Sequence, residues 1–249
     1  MEKLPVEIWK EIFSFIGRMN ELTSLKSVCI EFYKMIDIDC INHLKIPQNN
    51  KNLLEKTENY KFLVSLTCPG LKLKTLPFIP NLRRLYCQSN QLTKLPSYPN
   101  LIELNCSKNQ LTELPSYPNL TELYCYRNQL TELPQFLNPE KLYCQYNCLK
   151  KIPSYLDLRK LNCSNNQLTK LPSYPNLEWL HCSNNQLTKL PSYPNLEWLY
   201  CYCNQLTKLP SYPNLERLKC FGNQLPDLLS YPKLELIYPK LKQINSSHL

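Results

Sequence analysis

Residues 171–208 read LPSYPNLEWLHCSNNQLTK followed by LPSYPNLEWLYCYCNQLTK, two nearly identical 19-residue units laid end to end. The same frame continues outward to units that start at Leu95, Leu114 and Leu209, and to looser ones at Leu76, Leu133 and Ile152. A worn unit starts at Thr57 and a truncated one at Leu228. A repeat of this length means that one small structural unit is stacked many times, because a single unit cannot bury its own apolar face.

Numbering the places of a unit from its first Leu or Ile, Leu recurs at places 7, 10 and 17, Cys at place 12 and Asn at place 15. The alternation around places 9 to 13 predicts a short strand that sends places 10 and 12 inward and places 9, 11 and 13 outward. Successive strands then stack in parallel. Nineteen residues leave no room for a return helix, and the two prolines of LPSYP favour an extended return. The Asn of place 15 (Asn90, Asn109, Asn128, Asn147, Asn166, Asn185, Asn204, Asn223) follows the strand, where its amide can satisfy backbone groups that would otherwise be unpaired. The Tyr of place 4, between the prolines, is expected to form a partly buried aromatic column on the return side.

The pattern LxxLxCxxNxLxxLP resembles the leucine-rich repeat family. Ahead of it the grammar changes to LPVEIWKEIFSFIGRMNELTSLKSVCIEFYKMID, residues 4–37. Pro5 suits the first turn of a helix, Ile8, Ile12 and Ile16 share one face, Gly17 can end it, and Asn20 can cap a second helix. The order LPxEI, IFSFI, ELxxLKSVCxxFY resembles the F-box. The expected architecture is therefore α+β: an F-box helical module over residues 1–45, a connector over 46–56, and a leucine-rich-repeat solenoid over 57–249 with a parallel concave sheet and a non-helical convex side. The F-box resemblance implies docking to a Skp-family adaptor, and through it to a cullin-RING ligase, with Leu4, Pro5, Ile8, Ile12, Leu25, Val28 and Cys29 at that interface.

Composition narrows the function classes. The chain has 249 residues, 13 Cys and a formal charge of +9. Residues 1–45 hold 6 Lys and Arg against 7 Asp and Glu, and the remainder holds 23 against 13. The repeats carry the basic balance, but Lys and Glu alternate along them without a dense run, which argues against nucleic acid. MEKLPVEIWKEIFSFIG interleaves charges with apolar residues, unlike a signal peptide, and no stretch has the length of a membrane span. The expectation is a cytoplasmic protein with reduced thiols and no membrane partner. The near-identical repeats and many Asn and Lys also resemble proteins of large DNA viruses that infect amoebae, whose ligase machinery would be the host's.

Nine Cys, from Cys68 to Cys220, stand one period apart at place 12, where a thiol serves as a small hydrophobe. Such a column spreads its sulfurs along the solenoid instead of gathering them around a metal. His181 and Cys182 are neighbours on a strand and point to opposite faces, so they make no base and nucleophile pair. Cys148 and Cys203 are the thiols expected at the surface. No pattern calls for a catalytic centre or a cofactor.

The concave face is written by places 9, 11 and 13. Trp179, His181, Trp198, Tyr200, Tyr202, Arg217, Lys219 and Phe221 form an aromatic and basic cluster there, with Tyr124, Tyr126 and Tyr143 as a second group. Aromatic and Arg side chains are the usual anchors of protein interfaces, so the cluster is the candidate site for a protein substrate, with an acidic or phosphorylated segment as its complement. The function expected is a substrate-receiving adaptor of a ubiquitin ligase. The alternatives are a repeat scaffold with no link to ubiquitination, in which the helices merely cap the solenoid, and a ligase enzyme, which would need a domain that this chain lacks.

Overall fold

The computed structural model describes residues 43–45, 63–134, 139–226 and 235–236. Of the segments expected ahead of the repeats, residues 1–42 and the connector 46–56 lie outside them. Eleven short strands among the described residues form one parallel sheet in chain order. They are β1 (His43–Lys45), β2 (Ser65–Thr67), β3 (Arg84–Tyr86), β4 (Glu103–Asn105), β5 (Glu122–Tyr124), β6 (Lys141–Tyr143), β7 (Lys160–Asn162), β8 (Trp179–His181), β9 (Trp198–Tyr200), β10 (Arg217–Lys219) and β11 (Glu235–Leu236). In-register partners from β2 to β10 are 19 residues apart, as in Leu66 with Leu85 and Leu199 with Leu218. The step is 22 from His43 to Ser65 and 18 from Arg217 to Glu235. No described residue is helical, and the return segments carry no regular secondary structure beyond a turn at places 5 and 6, such as Pro175 and Asn176.

The inward set is the one the period dictates. The Leu of places 7, 10 and 17 and the Cys of place 12 are buried from Leu82 to Leu218, in one continuous core. Each buried Leu contributes roughly 1.5–3 kcal/mol of apolar burial. Burial also pushes the column thiols up, Cys106 to about 12, so they remain neutral and inert.

The Tyr column is buried more completely than its position between prolines suggests. Tyr98, Tyr117, Tyr174 and Tyr193 are 0% exposed. Each hydroxyl donates to the place 2 proline carbonyl of the preceding unit, as Tyr174 does to Pro153 at 3.2 Å. Proline has no N–H to link neighbouring returns, so side chains do it. Tyr hydroxyls serve place 2, and the place 6 amides serve place 5, as Asn195 Nδ2 donates to the Pro175 carbonyl at 3.0 Å.

Asn at place 15 locks the other side. Asn109 Oδ1 accepts from the Leu92 N–H of the preceding unit at 3.0 Å. Its Nδ2 donates to the carbonyls of Cys87, one unit back, and Cys106, in its own unit. The same arrangement recurs at Asn128, Asn147, Asn166, Asn185, Asn204 and Asn223. One residue earlier, at place 14, the backbone turns left-handed in every unit whose place 14 is among the described residues, at Gly70, Ser89, Lys108, Arg127, Tyr146, Asn165, Asn184, Cys203 and Gly222. That turn ends the strand and aims the Asn amide inward.

Candidate functional site

Places 9 and 11 flank each buried central Leu, so the pleat holds their side chains on the concave face. Three in-register rows therefore lie side by side at about 4.8 Å spacing: Trp179 and His181 on β8, Trp198 and Tyr200 on β9, and Arg217 and Lys219 on β10. Tyr202 and Phe221 extend the last two rows beyond the strands.

The side chains in these rows touch one another. The Arg217 guanidinium sits 4.1 Å from the centre of the Trp198 ring, and the Lys219 ammonium 4.9 Å from that of Tyr200, cation to ring-face contacts. Tyr202 stacks on Phe221 with centroids 4.7 Å apart. His181 lies between Trp179, Tyr200 and Tyr202, at 6.1, 5.5 and 5.7 Å. These contacts, with that of Trp179 and Tyr200 at 6.4 Å, join six of the eight residues expected at the site, and the Trp198 and Arg217 pair lies beside them on the same strands. Phe221, at 46% exposed, stands out from the group.

The second aromatic group joins the first. Tyr124 stacks on Tyr143 at 4.9 Å, and Tyr143 reaches Trp179 at 6.0 Å across β7. The small Asn162 between them leaves the room. An aromatic ridge therefore runs from β5 to β10. Toward the amino-terminal end the same face is charged and self-paired: Arg84 with Glu103 at 3.8 Å and Lys141 with Glu122 at 2.7 Å. One side of the ridge carries the place 8 carboxylates of Glu178, Glu197 and Glu216, of which Glu178 pairs with Arg159 at 2.7 Å.

The sequence reading missed a polar feature at the ridge's centre. In two units the place 11 Asn and place 13 Ser close on each other: the Ser107 hydroxyl donates to Asn105 Oδ1 at 2.6 Å and that of Ser164 to Asn162 Oδ1 at 2.8 Å. In the next unit His181 replaces the Asn. Its buried Nε2 and the buried Ser183 Oγ have no hydrogen-bond partner. Burial, then the Lys219 charge, holds the His181 pKa down at about 4, so the imidazole is neutral at pH 7. The visible signal was the single His in a column of Asn and Tyr.

His181 and Cys182 do face opposite ways, one on the ridge and the other buried beneath it. Cys148 and Cys203 are exposed free thiols. Among the described residues no three His, Cys, Asp or Glu side chains are placed to hold a metal ion. Leu4, Pro5, Ile8, Ile12, Leu25, Val28 and Cys29 lie outside the described residues.

Comparison with known proteins adds two findings. The F-box domain family model matches residues 1–44, and leucine-rich repeat models match 80–117, 99–139, 157–175 and 175–212. No curated protein matches the sequence. Among solved structures, YopM from Yersinia enterocolitica is 33% identical with a TM-score of 0.59, over 67% of this chain and 44% of that one. YopM of Yersinia pestis, a leucine-rich effector protein, is 33% identical with a TM-score of 0.60, over 66% and 51%. The functional domain of InlJ from Listeria monocytogenes, which includes a cysteine ladder, is 32% identical with a TM-score of 0.59, over 66% and 40%. The chain spans about half or less of the length of these structures. F-box and leucine-rich repeat families are protein-interaction modules, the first generally with Skp-like adaptors.

Proposed function

We propose that this chain, an F-box match followed by leucine-rich repeats, is the substrate-receiving adaptor of a cullin-RING ubiquitin ligase in the cytoplasm. In this reading residues 1–45 dock to a Skp-family adaptor through Leu4, Pro5, Ile8, Ile12, Leu25, Val28 and Cys29. The ridge of Trp179, His181, Trp198, Tyr200, Tyr202, Arg217, Lys219 and Phe221 captures the substrate. The chain performs no chemistry of its own and needs no cofactor.

The observation that carries the reading is the joining of the two: an F-box match in one chain with repeats that expose a contiguous aromatic ridge. Rings already packed against one another lose little freedom on binding, which is why aromatic and Arg side chains dominate interface energies. Arg217 and Lys219 give the ridge a positive end, and a substrate segment with carboxylate or phosphate groups complements it.

Affinity capture from eukaryotic cells tests the division of labour. Leu4→Ala/Pro5→Ala is expected to lose the Skp-family subunit and keep the substrate, and Trp179→Ala/Trp198→Ala to do the reverse. The likeness to solved structures rests on the repeats, which favours a second reading as a scaffold. That reading wins if the intact chain captures partners but no Skp-family or cullin subunit.

A further inference from the structure

A second surface on the same repeats carries a charge pattern that the ridge does not use. At place 19 the four successive units that bear β6 to β9 carry Lys151, Lys170, Lys189 and Lys208, all exposed. Among the described residues none of the four pairs with a carboxylate, and even Glu132, the place 19 residue one unit earlier, makes no ion pair with Lys151. The units pair in register, so the four ammonium groups repeat at about the 4.8 Å strand spacing, over roughly 14 Å.

Like charges opposed on neighbouring units are destabilising. Where the concave face opposes Glu103 to Glu122 and Lys141 to Lys160, ion pairs from Arg84 to Glu103 and between Glu122 and Lys141 offset the repulsion, and the lysine ladder has no such carboxylate among the described residues. Place 19 is mixed in the preceding units, with Lys94, Glu113 and Glu132, and the concave face sets Arg84 against Glu103 and Glu122 against Lys141. Recent copying of one unit does not explain the ladder. Units 133–151 and 152–170 differ from 171–189 at places 9 and 11, and the second of them also at place 8, yet both keep the lysine. Beside the ladder stand the exposed Gln and Thr of places 16 and 18, such as Gln186 with Thr188 and Gln205 with Thr207, which add neutral hydrogen-bonding groups.

We propose that Lys151, Lys170, Lys189 and Lys208 form a second docking strip that takes an extended acidic polypeptide segment along the solenoid. The pitch fits such a chain. A strand advances about 3.4 Å per residue, so the roughly 14 Å of lysines face four to five residues. Alternate ones turn toward the strip about 6.8 Å apart, and the flexible stems of Lys and Glu let two or three carboxylates of an acidic run reach the four ammonium groups. The strip carries no ring at places 16, 18 or 19, whereas single-stranded nucleic acid is held by base stacking on aromatic side chains as well as by charge. The strip is separate from the ridge and stands whether or not the ridge binds substrate.

The test is fluorescence anisotropy of the full chain with labelled poly-glutamate, and with oligo-thymidine as the competing polyanion. The reference is Lys151→Gln/Lys170→Gln/Lys189→Gln/Lys208→Gln. Two controls are Lys45→Gln/Lys72→Gln/Lys94→Gln/Lys108→Gln, which removes the same charge elsewhere, and Arg217→Gln/Lys219→Gln, which removes the cations of the ridge. Expected are poly-glutamate binding that weakens steeply with salt, a loss of about tenfold or more in the strip variant, and less than about threefold in either control. The four-fold Lys→Arg variant should bind like the parent. No binding, equal loss in strip variant and controls, or tighter binding of oligo-thymidine than of poly-glutamate overturns the proposal.

Discussion

Replacing Asn109 by Ala tests the inter-unit lock where its consequences can be counted. The amide accepts from Leu92 N–H and donates to the carbonyls of Cys87 and Cys106, all in the buried interior. After truncation the two carbonyls each keep one partner, Asn90 Nδ2 on Cys87 and Asn128 Nδ2 on Cys106. The Leu92 N–H keeps none. An orphaned buried donor costs about 1–3 kcal/mol, and two carbonyls reduced to one bond add about 0.5–1 kcal/mol each, so the variant should lose about 2–5 kcal/mol. Asn109→Asp retains the acceptor but turns a second oxygen toward those carbonyls, and should be at least as damaging at pH 7. Urea unfolding of the full chain, followed by far-UV circular dichroism, reads both as a lower midpoint at unchanged slope. A loss below about 1 kcal/mol for Asn109→Ala would refute the reasoning, because it would mean that the backbone pairs itself without the amide.

Other perturbations read other parts of the structure. Tyr174→Phe removes the hydroxyl that donates to the Pro153 carbonyl and should cost about 1 kcal/mol in the same assay. At place 14, Lys108→Gly should gain about 0.5–1 kcal/mol by relieving a φ of 54°, while Gly222→Ala should be destabilising, because its added Cβ would meet Cys203 N and Sγ at 3.2 Å. His181 is held neutral down to about pH 4 when folded but takes up a proton near 6.5 when unfolded. The unfolded state therefore binds more protons in between, and stability should fall by about 1–3 kcal/mol from pH 7 to pH 4. His181→Asn should remove that dependence and, by restoring the Asn–Ser bond seen at Asn162 and Ser164, raise the melting temperature. Mass-mapped thiol labelling of the native chain should modify Cys148 and Cys203 and spare the buried column from Cys87 to Cys201.

The solenoid was legible because its period is written into the inward residues themselves: Leu and Cys at fixed places leave one way to alternate a strand. The role of the place 15 Asn was legible for the same reason, since a buried amide after a strand has few things to do. The left-handed turn at place 14 was not. Its occupants include Ser, Lys, Arg, Tyr and Cys, and only Gly70, Gly222, Asn165 and Asn184 hint at a positive φ, because backbone pairing between units imposes that conformation whatever the side chain. The depth of the Tyr column was underestimated because its hydroxyl partner is a proline carbonyl one unit away, invisible to a pattern read within a unit. The ridge was legible as two groups and not as one, since Tyr143 meets Trp179 only by reaching over Asn162. The orphaned His181 and Ser183 needed side-chain geometry to be seen at all.

The reading of the chain as a ligase adaptor turns on the segment ahead of the repeats. Titration calorimetry of the purified full chain against a purified Skp-family adaptor measures that link directly. Saturable one-to-one binding that Leu4→Ala/Pro5→Ala abolishes and Trp179→Ala/Trp198→Ala leaves intact is the predicted result. Absence of binding by the folded parent chain would contradict the account and leave a leucine-rich scaffold.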